Sequence, residues 1–585
     1  MKSSGFYSLK YIILSLLILS SSLLKAQGFL DVKGKFIVNE KGEKVILRGI
    51  GLGGWMLQEG YMLRMPKEGQ QHLIKASIED VIGKDKTAEF YNAWLNKHTQ
   101  KADIDSLKAW GFNSIRLPMH FNLYTLPIEQ EPVKGKNTWL EKGFNMTDSL
   151  LAWCKANKMY LILDMHAAPG GQGNDLNISD RDPKNASLWD SKENKDKMIA
   201  LWRKLAERYA GEPWIGGYDI INEPNWGFTN PEDKNGLNEA HNVPLKKLMM
   251  DISEAIREVD KKHIIIIEGN GWGNNYNEIL PVWDNKMVVS FHKYWNYNNQ
   301  SSIQNFVNIR DKYNVPVWLG ETGENSNVWF TQAISLMEKN EIGWCWWPLK
   351  KMGFNNPLEI RVTKGYQQLL DYWAGKGNKP SLGAGYKAMM EMADNTQLKN
   401  CIIHYDVLDA MFRQVASNKT IPFKRHTTGQ LIQAVDYDLG RSNAAYFDRD
   451  SAEFYISTGP NRTGWNSGRT YRNDGVDIEK ALDSQDAYYV SKIEDGEWLN
   501  YTINSDKEGE YIMKLKVASV NAGGKVSLLT NKIASKSFDV PNTGGQEQWH
   551  SILIKKVSLK KGLNNIRVKA DKGGFNLKSI QLLKS

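Results

Sequence analysis

The sequence predicts an α/β chain in two parts, a (β/α)8 TIM barrel followed by an all-β sandwich of the jelly-roll kind. Three observations carry this. From about residue 30 to 350, eight short apolar runs alternate with amphipathic helical stretches. After Gly429 the helical period gives way to short alternating stretches broken by Gly, Asn and Asp turns. The length of 585 residues exceeds what one core organises, so two or more domains are expected.

The N-terminus carries Lys2 and Lys10, an apolar stretch over 11–24 interrupted by serines, and small Ala26 before Gln27. This charged, apolar, small order reads as a secretory signal over residues 1–26, so the mature chain is expected outside the cytoplasm, secreted or periplasmic. The stretch is short for a membrane span and no second one follows. The barrel runs are 45–50, 114–117, 160–163, 217–221, 263–267, 287–290, 315–319 and 342–347. They are apolar on both faces, as strands of a covered parallel sheet must be. Helices are expected over 104–110, 150–157, 198–209 and 245–259. No Gly-rich phosphate fingerprint follows the first run, which disfavours an open dinucleotide-binding sheet. Helical patterns at 366–373 and 386–392 extend the barrel domain over 27–416. The polar stretch 417–429, with Pro422, Thr427 and Thr428, reads as a linker, and 430–585 as the sandwich. A long insertion over 57–94 follows the first strand, where loops line a barrel's cleft. Whether it closes one end of that cleft is left open by the residues.

Apolar residues are 41% and charged residues 24% of the chain, a soluble globular profile. The net charge of +9 is dispersed, with no run of five or six basic residues, which argues against a nucleic-acid partner. The three cysteines, Cys154, Cys345 and Cys401, match no zinc spacing and read as buried free thiols, so no metal site is expected. The 21 tryptophans serve a large core and, for some, flat platforms against pyranose rings.

Several strands end in polar groups that a plain core does not need. The second ends with Arg116, the third with Asp164 and His166, the fourth with Asn222, Glu223 and Pro224, and the seventh with Glu321. In a barrel these ends converge on the face that carries active sites. Two carboxyl groups from different strands suit glycoside cleavage, one giving a proton to the leaving oxygen and the other attacking the anomeric carbon. Asp164, beside His166, reads as a hydrogen-bonding group at the strand end, and Glu324 as a surface loop residue.

The motifs GFNSIRLP, LDMHAAPGGQ, INEP, SFHKYW, LGETG and GWCWWPLK, in this order, resemble glycoside hydrolase family 5 over roughly residues 30–415. The resemblance implies a retaining hydrolase of a β-linked glucan-type polysaccharide that needs no cofactor. It makes Glu223 the acid/base and Glu321 the nucleophile. Asn222 would bond the sugar 2-hydroxyl, and Arg116 and Tyr294 would hold Glu321 ionised. His166 and His292 would bond sugar hydroxyls or orient carboxylates, and Trp347 would floor a subsite. The segment GIGLGGW, 49–55, is similar to the first-strand motif of β-glucan-cleaving members; a Gly-rich turn with Trp55 in the core is the alternative. A β-mannanase, a xylanase, a transglycosylase or a non-catalytic polysaccharide-capture protein are the competing readings.

The second part, with YRNDGVDIE, GEWLNYTI, VPNTGG and GGFNLKSI, resembles carbohydrate-binding module family 6. By that resemblance Tyr471 is a platform and Asn576 a polar contact for a polysaccharide. The sequence departs from the family at Gln546, where a Trp is usual, and at Gln433 and Val435, where acids often hold a structural calcium ion. The last departure argues against calcium here.

Overall fold

The computed structural model describes residues 28–453, 464–482 and 487–585. The expected signal segment lies outside them. Among the described residues no helix is long and apolar enough to cross a membrane.

Eight parallel strands close a barrel: β1 (Arg48–Gly51), β2 (Ser114–His120), β3 (Tyr160–Ala167), β4 (Ile215–Asp219), β5 (Ile265–Ile267), β6 (Met287–Lys293), β7 (Val317–Gly323) and β8 (Gly343–Trp347). Every residue of β2, β3, β6 and β7 is buried, as expected of strands covered by helices outside and side chains inside. Each predicted run overlaps one of these strands. The main differences lie at the carboxyl ends. The runs at 114–117, 160–163, 287–290 and 315–319 stop short, but β2, β3, β6 and β7 continue to His120, Ala167, Lys293 and Gly323. The extra residues include His120, Asp164, His166, His292 and Glu321, because the site begins there. The register sets Asp164 beside Asp219 across β3 and β4, and His292 beside Glu321 across β6 and β7. Polar groups distant in sequence thus share one layer.

The barrel core is aromatic. Trp94, Trp202, Trp318, Trp329, Trp344 and Trp346 are almost fully buried, each removing roughly 150–250 Å² of surface from water. Trp55 belongs to this core, its indole N–H donating to the Leu95 carbonyl at 2.7 Å. The insertion after β1 forms a short turn, Gly60–Leu63, and helices Gln71–Ile82 and Lys84–Lys97, which pack on helix Leu382–Asn395. All three cysteines are buried and free.

The C-terminal part is two packed sheets. One contains β9 (Ile478–Lys480), β10 (Tyr488–Ile493), β12 (Gly509–Ser519), β14 (Gly545–Leu559) and β16 (Phe575–Lys584); the other is built on β11 (Trp498–Ser505), β13 (Gly524–Thr530) and β15 (Gly562–Lys572). Alternate residues of β12 and β15 point into a shared core that holds Tyr501, Met513, Leu515, Val517 and Ile566.

The stretch 417–429 is no free tether. Ile421 and Leu439 exchange backbone hydrogen bonds at 3.1 and 2.8 Å. His426–Thr427 adds a strand to β11. Polar composition suggested a linker, but polar residues also suit an edge strand whose outer side meets solvent. The sandwich therefore begins near residue 421 and follows the last barrel helix with little slack.

Candidate active site

The polar strand ends meet around a cavity of about 530 Å³. Its lining includes His166, Glu223, His292, Tyr294, Glu321 and Trp347, six residues drawn from five strand ends. Arg116 and Asn222 lie beneath them, fully buried. All eight sequence-predicted barrel residues are thus brought together.

Arg116 is the hub. Its guanidinium donates to Glu321 Oε2 at 2.7 Å, Asp219 Oδ2 at 2.9 Å, Asn222 Oδ1 at 2.8 Å and Glu268 Oε1 at 3.1 Å, and lies 3.3 Å from Asp164 Oδ1. Only the planar fork of arginine can serve so many acceptors at fixed angles. The Tyr294 hydroxyl donates to the other Glu321 oxygen at 2.9 Å. Both Glu321 oxygens therefore have donors aimed at them, the arrangement that compensates a buried anion.

Glu223 has a different environment. His292 Nδ1 lies 2.6 Å from its Oε1, and His292 Nε2 lies 3.1 Å from Glu268 Oε1. The Glu223 backbone N–H donates to Glu268 Oε2 at 2.7 Å, which pins a residue whose φ of 43° is left-handed. Burial pushes the Glu223 carboxyl up; His292 opposes this, and Glu321 and Glu268 add to it, leaving it above the ordinary value. Burial also opposes a charge on His292, but Glu268, Glu223 and Glu321 outweigh it and hold the imidazole well above its usual range. Glu268 is held low despite its burial by His292 and Arg116.

The charge count explains this pattern. Two cations, Arg116 and His292, face five carboxyl groups: Asp164, Asp219, Glu223, Glu268 and Glu321. Burial and the nearby Glu268 push Asp219 well up, although Arg116 opposes it. Burial together with this excess of acids pushes both Asp219 and Glu223 up.

Oxygen and nitrogen atoms of Glu223, His292 and Glu321 lie within 4.8 Å of one another. An oxygen of Glu223 and an oxygen of Glu321 therefore approach within 4.8 Å, short of the roughly 6.5–9.5 Å that leaves room for an attacking water. One group has a raised pKa and the other is clamped by a guanidinium, so the pair is equipped for proton donation and for nucleophilic attack.

Trp347 forms a wall. Its ring stacks on His166 at 5.0 Å, and its N–H donates to the Tyr61 hydroxyl at 2.9 Å. Gly51 and Gly53 lie directly against the indole: a Cβ on either would come within 2.6 or 2.7 Å of ring atoms. Two glycines of GIGLGGW, Gly51 and Gly53, thus seat Trp347. His166 Nδ1 lies 2.8 Å from Asp164 Oδ2, so Asp164 orients the histidine as its place in the strand suggested.

Sequence reasoning missed Asp219, Glu268, Glu59 and Tyr61. Asp219 and Glu268 carried the same signal as Glu223, an acid closing an apolar run, in GGYD and IIIIE. Glu59 and Tyr61 come from the insertion after β1, which has no strand periodicity to mark them. Glu59 is buried; burial and the neighbouring Glu321, Glu324, Glu223 and Asp175 push its carboxyl well up. Glu324, read as a surface residue, instead lines the cavity and pairs with Lys351 at 2.6 Å. Its backbone is left-handed, φ 54°.

In the sandwich, Tyr471 and Asn576 both have their polar groups engaged by the protein itself. Tyr471 has a left-handed backbone, φ 68°, and its ring packs on Tyr488 at 4.6 Å while its hydroxyl bonds Asp436. Asn576 spends its amide on the Lys492 N–H at 3.1 Å and the Gln546 carbonyl at 2.8 Å. Tyr488 opens β10, whereas Lys492 stands near its other end, where the register with β16 shifts. At the position where calcium was weighed, Val435 is a buried apolar residue and Gln433 Oε1 accepts from the Tyr488 N–H at 3.4 Å. Val435 thus offers no side-chain oxygen, and Gln433 offers only an uncharged one.

A closed (β/α)8 barrel with two carboxyl groups at this spacing across one cavity defines the class: a retaining glycoside hydrolase. Residues 75–353 match the family described as Cellulase (glycosyl hydrolase family 5), and residues 468–584 match Carbohydrate binding module (family 6). The barrel is a glycosyl hydrolase family 5 domain, and the sandwich is a family 6 carbohydrate binding module. Among relatives, the chain is 26% identical to a beta-xylosidase of Phanerodontia chrysosporium over 394 residues, 61% of this chain and 78% of the relative. It is 25% identical to endoglucanase C of Acetivibrio thermocellus over 368 residues, 52% of this chain and 92% of the relative. Among solved structures, it is similar to a beta-glucanase from Saccharophagus degradans, with TM-score 0.39 and 18% identity over 63% of this chain and 95% of that one.

Proposed function

We propose that this protein is an exported hydrolase of a β-linked glucan that works by double displacement. Glu321 attacks the anomeric carbon while Arg116 and Tyr294 hold its oxygens. Glu223 gives its proton to the leaving oxygen, then takes one from the water that releases the sugar. His292, charged and hydrogen-bonded to both Glu223 and Glu268, keeps Glu223 aimed at the bond. Asn222 and His166 bond ring hydroxyls, and Trp347 supports the sugar face. No cofactor is needed for these steps. The sandwich binds polysaccharide. The observation that carries the reading is the pairing of two carboxyl groups within 4.8 Å, one against Arg116 and the other against His292.

The glucan assignment rests on the GIGLGGW seat under Trp347 and on the kinds of relative found, an endoglucanase among them. Export rests on the charged, apolar, small order of residues 1–26. A panel of β-1,3-, β-1,4- and mixed-linkage glucans, xylan and mannan, with product sizes followed over time, tests the substrate class. Turnover confined to xylan or mannan overturns it.

The raised pKa of Glu223 gives a pH prediction. The acid must be protonated, so kcat/KM should fall as pH rises through its raised value, forming the alkaline limb. Glu223→Gln should lose about 10²–10⁴-fold on a glucan oligosaccharide. With a dinitrophenyl glycoside, whose leaving group needs no proton, the glycosylation step should survive and the alkaline limb should vanish. An unchanged limb in this variant removes Glu223 from the acid role.

A further inference from the structure

The sandwich touches the barrel at the rim of the active-site cavity, and the contacts are specific. The loop after β7, 324–326, and the first residue of helix Asn327–Lys339 follow Glu321 directly. Asn325, Ser326 and Asn327 are all buried. Asn473 of the sandwich, fully buried, donates through its amide to the Asn325 carbonyl at 2.9 Å and to Asn327 Oδ1 at 3.1 Å. The Asn327 N–H returns a bond to the Asn473 carbonyl at 2.7 Å. Asp406, from a late barrel helix, accepts from the Asn473 N–H and from the Asn327 amide, each at 2.7 Å. The Ser326 hydroxyl donates to the Ala452 carbonyl. Trp465 donates to Asn473 Oδ1 at 2.8 Å and, with Ala452, closes an apolar cluster on Phe354 of the barrel.

Two cavity-lining residues belong to this junction. Trp295 packs against the Phe354–Ala452–Trp465 cluster, and Glu324 opens the pinned loop. Both hold left-handed backbones, φ 49° and 54°, which side-chain-bearing residues keep only where their surroundings enforce it. The surroundings of Trp295 include Ala452 and Trp465 of the sandwich.

We propose that the sandwich is a structural part of the active-site rim: Asn473 and Trp465 are positioning residues that hold Trp295 and Glu324 at a sugar subsite beside the two catalytic carboxyl groups. This goes beyond attachment to polysaccharide, because it acts on soluble substrates too small to bridge cavity and module. It rests on the glucan reading for its substrate and on geometry alone for its mechanics.

The test uses the full chain with Asn473→Ala and Trp465→Ala, and with Trp465→Phe, which keeps a ring on Phe354. Leu528→Ala, in the sandwich core, controls for general loosening of that domain. On a short soluble β-glucan oligosaccharide, the two alanine variants should raise KM about tenfold, equal to about 1.4 kcal/mol. Their kcat should change by less than about threefold, as for lost binding that is uniform between ground and transition states. Trp465→Phe should recover most of the loss, and Leu528→Ala should show none. Hydrogen exchange without substrate should show peptides spanning 293–298 and 324–330 losing protection in the alanine variants only. Unchanged soluble kinetics with a loss confined to insoluble polysaccharide overturns the proposal, as does unchanged exchange or an equal effect of Leu528→Ala. If the wild-type chain turns over no glucan oligosaccharide, the glucan reading fails, and the exchange arm still decides the mechanics.

Discussion

Glu321→Ala is expected to lower kcat on a β-glucan oligosaccharide by about 10⁴-fold or more, since it removes the group that forms the covalent intermediate. The structure supplies a sharper readout than loss of rate. The shortened side chain leaves a space facing Arg116 and Tyr294, two donors that remain in place. A small anion such as azide should enter it and attack an activated β-glycosyl substrate, giving an α-glycosyl azide. Glu223→Ala removes the acid instead, so azide should enter after Glu321 has reacted and give the β-product. If the two variants yield products of the same configuration, the two roles assigned here are wrong.

Arg116→Met should be as damaging to folding as to activity. The guanidinium is 1% exposed and meets Asp164, Asp219, Glu268 and Glu321. Removing one partner of a buried ionic network leaves charges uncompensated, at a cost of roughly 3–5 kcal/mol. The thermal midpoint of the barrel should fall by several degrees at neutral pH. Some stability should return on acidification, because protonating the stranded carboxylates relieves their repulsion. Arg116→Lys keeps the charge but not the fork; it should recover stability more than turnover. Calorimetry across pH checks both, and a midpoint at the wild-type value for Arg116→Met contradicts the network described.

The barrel was legible because its strands are apolar on both faces and its helices are not. That contrast survives in eight short runs, and it fails chiefly where β2, β3, β6 and β7 turn polar toward the cavity. The site was legible for the same reason in reverse: Arg116, Glu223 and Glu321 interrupt apolar patterns where a core has no use for charge. Glu268 and Asp219 give the same interruption, but glycoside cleavage demands no third or fourth acid; Glu268 accepts from Arg116 and bonds His292, and Asp219 accepts from Arg116. Glu59 and Tyr61 were not legible, because a loop has no period to break. The join between domains was misread at 417–429, since polar composition does not separate a tether from an edge strand. The partnership of Asn473 with Asn327 and Asp406 depends on docking two folds, which no local pattern encodes.

The three thiols bear on how the protein can be made. Cys154 and Cys345 are sealed in the barrel wall, burial pushes both far above the ordinary thiol range, and Cys401 is pushed up to about 11. None presents a thiolate for exchange near neutral pH, and no cross-link ties the chain together. Maturation should therefore proceed without an oxidant or an isomerase, and material produced in a reducing cytoplasm should match material from an oxidising compartment in melting temperature, with or without dithiothreitol. A midpoint that drops on reduction would mean that a covalent staple contributes after all.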